Sequence, residues 1–258
     1  MLVRKLVFLS LSLILAAGAS AQELKVAAAA DLNPAMPKLS AAFAKQTGIQ
    51  LKVSFGSSGN FFAEIRNGAP FDVFMSADKS YPETLEGAGK TEGTSVYARG
   101  KLVVWVPNRT GLEPSPDNLK ILTSSAVKKV AIANPEHAPY GRAAVAAMVH
   151  FKVYEQVKSK LVLGENVSQT AQFAQSGNAD VALISLAQAL SDTLKSSGRY
   201  ALVPTDSYPA LDQAATVVRS SQNKQAAHRF VEFMQTQAAQ KILSEYGFET
   251  RGLEARKR

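Results

Sequence analysis

Apolar positions fall into short continuous runs, separated by stretches in which they recur at helical spacing. ELKVAAAA (23–30) reads as a buried first strand. Asn33-Pro34 then predicts a helix start, and Met36, Leu39 and Phe43 form one apolar face that stops at Gly48. IQLKVSF (49–55) alternates as a strand, and SFGSSGN (54–60) leads into a helix with Phe61, Phe62 and Ile65 on one face, closed by Gly68. FDVFMSA (71–77) is a further strand. This β-α-β-α-β order predicts a parallel, doubly wound α/β sheet with right-handed crossovers.

KLVVWVP (101–107) is the most apolar strand, and the pattern restarts after it. KVAIANP (129–135), LVLGENV (161–167), ADVALIS (179–185) and YALVP (200–204) read as strands. Helices are predicted over 141–151, 168–177 and on to Leu194. AATVVRS (214–220) is one more strand, and a single last helix is expected from about Asn223 to Tyr246. The halves rhyme. Ser57-Ser58 opens a helix that stops at Gly68 before Asp72-Val73, and Ser168 opens one that stops at Gly177 before Asp180-Val181. Two similar doubly wound lobes are expected: 22–100 with 210–250, and 101–209, with crossings near Lys101–Val106 and Pro204–Thr216. Helix starts at the carboxyl ends of the parallel strands then face one another across a cleft.

Residues 1–21 carry Arg4 and Lys5, the apolar run LVFLSLSLIL, and Ala19-Ser20-Ala21, the pattern of a cleaved export signal. An exported chain is expected from Gln22, with periplasmic localisation. Cysteine is absent, so neither disulfides nor thiolate chemistry is available. The net charge of +8 is concentrated at the ends. Without the leader and the basic tail RGLEARKR (251–258), the body is only about +3, with no basic run interleaved with aromatics, which speaks against nucleic-acid binding.

Gly56-Ser57-Ser58-Gly59 fits two readings: backbone donors gathered around an anion, or a helix start capped by Ser58 or Asn60. No GxxxxGK[ST] or GxGxxG occurs, so a nucleotide is disfavoured. Tyr140 either donates its phenol to a ligand or packs as a half-buried aromatic. Val167 and Ser168 open the rhyming helix, while Ser76 and Ser185 stand at strand ends. Asp31 ends the first strand, where a carboxylate repels an anion; capping of the following helix is the other reading. His137, His150 and His228 show no metal-ligand spacing, and no GxSxG elbow occurs.

VAAAADL (26–32), SFGSSGN, GAPFDVFMSAD (68–78), NPEHAPYG (134–141) and YGF (246–248) together resemble the periplasmic molybdate-binding proteins of ABC transporters. The resemblance spans nearly the whole chain after the leader, and GAPFDVFMSAD and PEHAPYG are its specific pieces. It implies a type II periplasmic-binding-protein fold with a two-strand hinge. It also implies a monomeric, non-enzymatic receptor without cofactor that delivers molybdate or tungstate to a permease. The family holds the oxyanion desolvated, on neutral donors. The resemblance places ligand groups at Ala30, Asp31, Ser57, Ser58, Tyr140, Val167 and Ser185. Two departures stand out: Asp31 where members carry serine, threonine or asparagine, and Ser185 where many carry tyrosine. Tyr140 compensating for the tyrosine missing at 185 is one reading. Alternatives are a receptor for sulfate or a small carboxylate, and a serine hydrolase working through Ser58.

Overall fold

The computed structural model describes residues 23–115 and 119–250. The expected export signal (1–21) and the basic tail (251–258) lie outside the described residues. The described chain forms two five-stranded sheets, each flanked by helices.

In the first sheet, β1 (Glu23–Ala29) is an inner strand and pairs in parallel with β2 (Gln50–Gly56) and β3 (Val73–Ser76). β10 (Leu211–Val218) runs antiparallel to β3 and to the edge strand β4 (Thr91–Gly100), giving the order β2-β1-β3-β10-β4. The second sheet repeats this plan. β6 (Val130–Ala133) pairs in parallel with β7 (Leu161–Gly164) and β8 (Val181–Ser185). β5 (Leu102–Pro107) runs antiparallel to β8 and to β9 (Gly198–Leu202), giving β7-β6-β8-β5-β9. The sheets are therefore mixed rather than all parallel. In each, the antiparallel partner, β10 or β5, is the strand that has just arrived from the other sheet. Alternation of strands and helices along the sequence carries no sign of that reversal.

The helices are α1 (Met36–Thr47), α2 (Ser58–Arg66), α3 (Ser80–Gly87), α4 (Pro139–His150), α5 (Tyr154–Val157), α6 (Val167–Gln175), α7 (Leu186–Ala189), α8 (Asp192–Lys195), α9 (Lys224–Phe233) and α10 (Gln237–Glu245). β1 is apolar throughout because both its faces are covered. Leu24, Val26 and Ala28 join a core with Leu39 and Phe43 of α1 and Phe230 and Phe233 of α9. Ala27 faces the opposite core, with Phe61 and Ile65 of α2 and Phe74 of β3. Phe43 sits 5.0 Å from the Phe230 ring and 5.4 Å from Phe233. The second lobe packs on Trp105, which is fully buried with Val103 and Ile132.

Three boundaries differ from the pattern-based expectation. β4 has no apolar run and is held by its register with β10, so period alone does not mark it. α1 starts at Met36, because Asn33 N–H donates to Ala30 C=O and closes a 3-10 turn over Ala30–Leu32 first. The expected last helix is two, broken where Thr236 Oγ1 accepts Ala239 N–H to start α10.

The rhyme between halves extends to side chains. Asp72 Oδ2 accepts Lys25 N–H at 2.7 Å, and Asp180 Oδ2 accepts Lys128 and Lys129 N–H at 2.8 and 2.9 Å. Each Asp ties the start of one parallel strand to its neighbour. Asp72 is nearly fully buried and also accepts the Ser221 hydroxyl at 2.6 Å, whereas Asp180 is only half-buried. Asp72→Ala leaves the Lys25 N–H and the buried Ser221 hydroxyl without this acceptor and is expected to cost about 2–4 kcal/mol in urea unfolding. Asp180→Ala is expected to cost less than half of that, because water reaches the donors it frees.

Candidate functional site

The carboxyl ends of the parallel strands from both sheets converge on one small cavity. It encloses about 210 Å³, its open mouth included. From the first lobe it is lined by Ala29–Asp31 after β1, Gly56–Ser58 between β2 and α2, and Ala77 after β3. From the second it is lined by Ala138–Tyr140 at the start of α4, and Asn166 and Val167 at the start of α6. Three helices of eight or more residues thus direct their N-termini, with their partial positive charge, at the same space.

The first turns of these helices leave specific donors over. In α2, Ser57 is the N-cap, accepting Asn60 N–H at 3.3 Å, and Gly59 N–H donates to His137 C=O at 2.8 Å. Ser58 N–H is the donor of that turn with no protein acceptor. Ser58 Oγ accepts Ala77 N–H at 3.0 Å, so its own proton remains to be donated. In α6, Asn166 Oδ1 accepts both Ser168 and Gln169 N–H, which leaves Val167 N–H over in the same way. Ser58 and Val167 are both buried in the lining. Such donors suit an anion that has lost its water.

Asp31 is the departure from this donor-only character. It is fully buried, and neither Oδ1 nor Oδ2 has a hydrogen-bond partner. Tyr140 Oη and Gln213 Nε2, also buried and without a well-formed hydrogen bond, stand close to it. Burial pushes the Asp31 carboxyl up to about 7, against the opposing pull of Tyr140 and Gln213. Burial and the nearby Asp31 charge likewise raise the Tyr140 phenol, which stays a neutral donor. The packing here depends on Gly100: a Cβ at that position would overlap Tyr140 Oη.

Several contacts bind one lobe to the other around the cavity. Ala30 C=O accepts from Ser168 Oγ at 3.0 Å and Gln188 Nε2 at 2.9 Å. His137 Nδ1 lies 2.8 Å from Ser57 Oγ across the lobes, and within its own lobe its Nε2 lies 3.6 Å from Glu165. Arg142 of α4 donates to Asp78 Oδ2 at 2.7 Å and to Tyr81 Oη at 2.8 Å. The two specific sequence motifs, GAPFDVFMSAD and PEHAPYG, therefore flank one interlobe seam.

Of the residues singled out from sequence, the structure brings Ala30, Asp31, Ser57, Ser58, Tyr140 and Val167 together in the lining. Ser185 is not among the lining residues; its Oγ accepts Gln188 N–H at 3.1 Å and caps α7. Ser76 is used in its own turn, between Asp78 C=O and N–H. The capping reading of Asp31 fails, since α1 has Ala35 at its N-cap and no side-chain cap. Ser57, rather than Ser58 or Asn60, caps α2. Ser168 contributes its hydroxyl to Ala30 and not its N–H to the cavity. Sequence reasoning missed Asn166, Gln188 and Gln213. Asn166 had a signal, since asparagine before a helix start is a preferred N-cap; the two glutamines had none.

The sequence profile of the bacterial extracellular solute-binding protein family matches residues 24–249. The molybdate-binding protein ModA of Azotobacter vinelandii is 37% identical over 237 residues, covering 91% of this chain and 93% of that protein. ModA of Rhodobacter capsulatus is 36% identical, covering 94% of each chain. The solved structure of the Azotobacter vinelandii periplasmic molybdate-binding protein superposes with a TM-score of 0.80 at 33% identity, over 87% of this chain and 98% of that one.

Two outcomes test the site as described. A Cβ at Gly59 would stand 2.6 Å from His137 O, a backbone atom that cannot yield cheaply. Gly59→Ala is therefore expected to hold the lobes apart, raising the radius of gyration in solution scattering while each lobe stays folded. The second concerns pH. Because Asp31 is raised in the folded state, its stabilising effect is complete below its unfolded value near 4 and is lost as pH rises towards 7. Relative to Asp31→Asn, the ligand-free protein should lose up to about 1.4 kcal/mol per pH unit across that window, and little beyond it, in urea unfolding at stepped pH.

Proposed function

Since the chain belongs to the bacterial extracellular solute-binding proteins, we propose that its interlobe cavity captures molybdate, and tungstate of the same shape and charge, for delivery to an ABC permease. The observation that carries this reading is the set of neutral donors left over around one cavity: Ser58 N–H, the Ser58 hydroxyl proton and Val167 N–H. The ModA relatives and the molybdate-binding structure support the same ligand class.

Neutral donors suit this task physically. A buried dianion is tolerated only where several dipoles replace its water, and helix N-termini supply them without a counter-ion. Two lobes each contribute part of the shell, so ligand and closure stabilise one another. Release to a permease then requires only that the lobes part. An extracytoplasmic location and a cleaved leader agree with such a receptor. Among the described residues no helix is long and apolar enough to cross a membrane.

A hydrolase reading has one observation behind it, the Ser57–His137–Glu165 array. Glu165 is two-thirds exposed and 3.6 Å away, and Ser57 Oγ is engaged as a helix cap. The array therefore serves as a bond between lobes rather than as an activated nucleophile.

Thermal unfolding of the purified protein against molybdate, tungstate, sulfate and phosphate tests the proposal. Ligand at a hundredfold over its Kd adds about 2.7 kcal/mol of stability. A shift with molybdate and tungstate alone is expected. A shift with sulfate, or with a small carboxylate added as a control, reassigns the ligand, and no shift with any anion overturns the receptor. Ser58→Ala should weaken molybdate binding by about 1–3 kcal/mol in calorimetry, the worth of a hydrogen bond to a charged group.

A further inference from the structure

We propose that Asp31 meets the bound oxyanion as a neutral carboxylic acid, donating its proton to a ligand oxygen, so that capture of the dianion takes up a proton from solvent. This rests on the oxyanion reading above and goes beyond it, by assigning the cavity a donor that ionises.

Asp31 is a fully buried lining residue, and neither carboxyl oxygen makes a well-formed hydrogen bond. The groups that face it carry no positive charge. They are Tyr140 from α4, Tyr97 from β4 and Gln213 from β10. From α6 and α7, Ser168 and Gln188 bond the neighbouring Ala30 carbonyl. His137, which precedes the lining residue Ala138 but is not itself in the lining, pairs with Ser57. An ionised Asp31 beside a dianion would thus place three negative charges in one small space with nothing to offset them, which is unfavourable in a medium of low dielectric.

A proton on the carboxyl removes this conflict and converts it into a contact. Tyr140 Oη and Gln213 Nε2 stand beside the carboxyl without a formed bond, so a small adjustment lets one oxygen accept from them while the other, as O–H, needs an acceptor. A ligand oxygen is the acceptor that a loaded cavity supplies. The cost of the proton is small at neutral pH, because burial has already raised the carboxyl to about 7. A dianion close by raises it further, so binding and protonation reinforce one another.

The same group sets selectivity. An acid O–H matches an oxygen that bears no proton, as in molybdate, tungstate or sulfate. Hydrogen phosphate brings a proton of its own and pairs instead with an ionised carboxylate. Affinity for molybdate should therefore be nearly flat below about pH 7 and fall towards tenfold per pH unit above it, as expected when one proton is bound with the ligand.

The test is calorimetric titration of the full-length purified protein with sodium molybdate between pH 5.5 and 9. Each pH is run in two buffers of different ionisation enthalpy, so that proton uptake is read directly. The wild type is expected to show the falling affinity and an uptake that approaches one proton per ligand at the alkaline end. Asp31→Asn, which keeps the shape and always donates, is expected to bind with no such slope and no linked proton. Binding by the wild type that is flat to pH 9 without uptake, or that tightens with rising pH, overturns the proposal. So does a slope that persists in Asp31→Asn. Absence of molybdate heat at every pH removes the oxyanion reading and this proposal together, whereas heat without linkage removes this proposal alone.

Discussion

On the proposed reading, a doubly charged anion stripped of its water must find a replacement for nearly all the hydration it has lost, and none of the described residues lining the cavity is a cation. Much of the architecture answers to that requirement. Donors that do not ionise have to converge from several directions, and the first turns of helices hold such donors in fixed positions. A single sheet directs only some of its helix starts towards one point. Two sheets set with their carboxyl edges face to face bring α2 from one lobe together with α4 and α6 from the other.

The seam between the lobes is built from the same loops. Ala30 is a lining residue, and its carbonyl receives Ser168 and Gln188 from the opposite lobe. Gly59 follows the Ser58 donor directly and gives its N–H to His137. Arg142, two residues beyond Tyr140, reaches Asp78 and Tyr81. Closure and ligand contact are thus adjacent along the chain, so movement of one lobe shifts both together. Such coupling is what a trap requires: the closed form exists with its donors already aimed, and the ligand adds the remaining interaction energy.

Asp31 stands against this order and shows how locally the balance is decided. Every other side chain in the lining is neutral at ordinary pH. The carboxyl is tolerated because it is deep enough to hold its proton near neutrality, with Tyr140 and Gln213 beside it. A rule broken at one position of a functional site, with compensation around it, is the pattern expected where sequence has been shaped for binding rather than for stability alone.

Period and punctuation in the sequence determined the α/β class, the order of most elements, and the repetition of one plan in two halves. They did so because buried strands and amphipathic helices impose spacings that a chain cannot hide. The family resemblance pointed to residues 30, 31, 57, 58, 140 and 167, which share one cavity lining; local pattern alone marked the helix starts at 57–58 and 167–168 and left the roles of Asp31 and Tyr140 open. What only tertiary structure decided was anything set by a distant partner. The reversal of β5 and β10 follows from chain crossings, and β4 exists through its register with β10. Ser185 turned to cap α7 although its position resembled a ligand site, because a strand end and a helix start share that residue. Gln188 and Gln213 acquired their places from elements far along the chain from Ala30 and Asp31. The ionisation of Asp31 belongs to the same class: a carboxyl has no fixed affinity for its proton until the fold has removed the water around it.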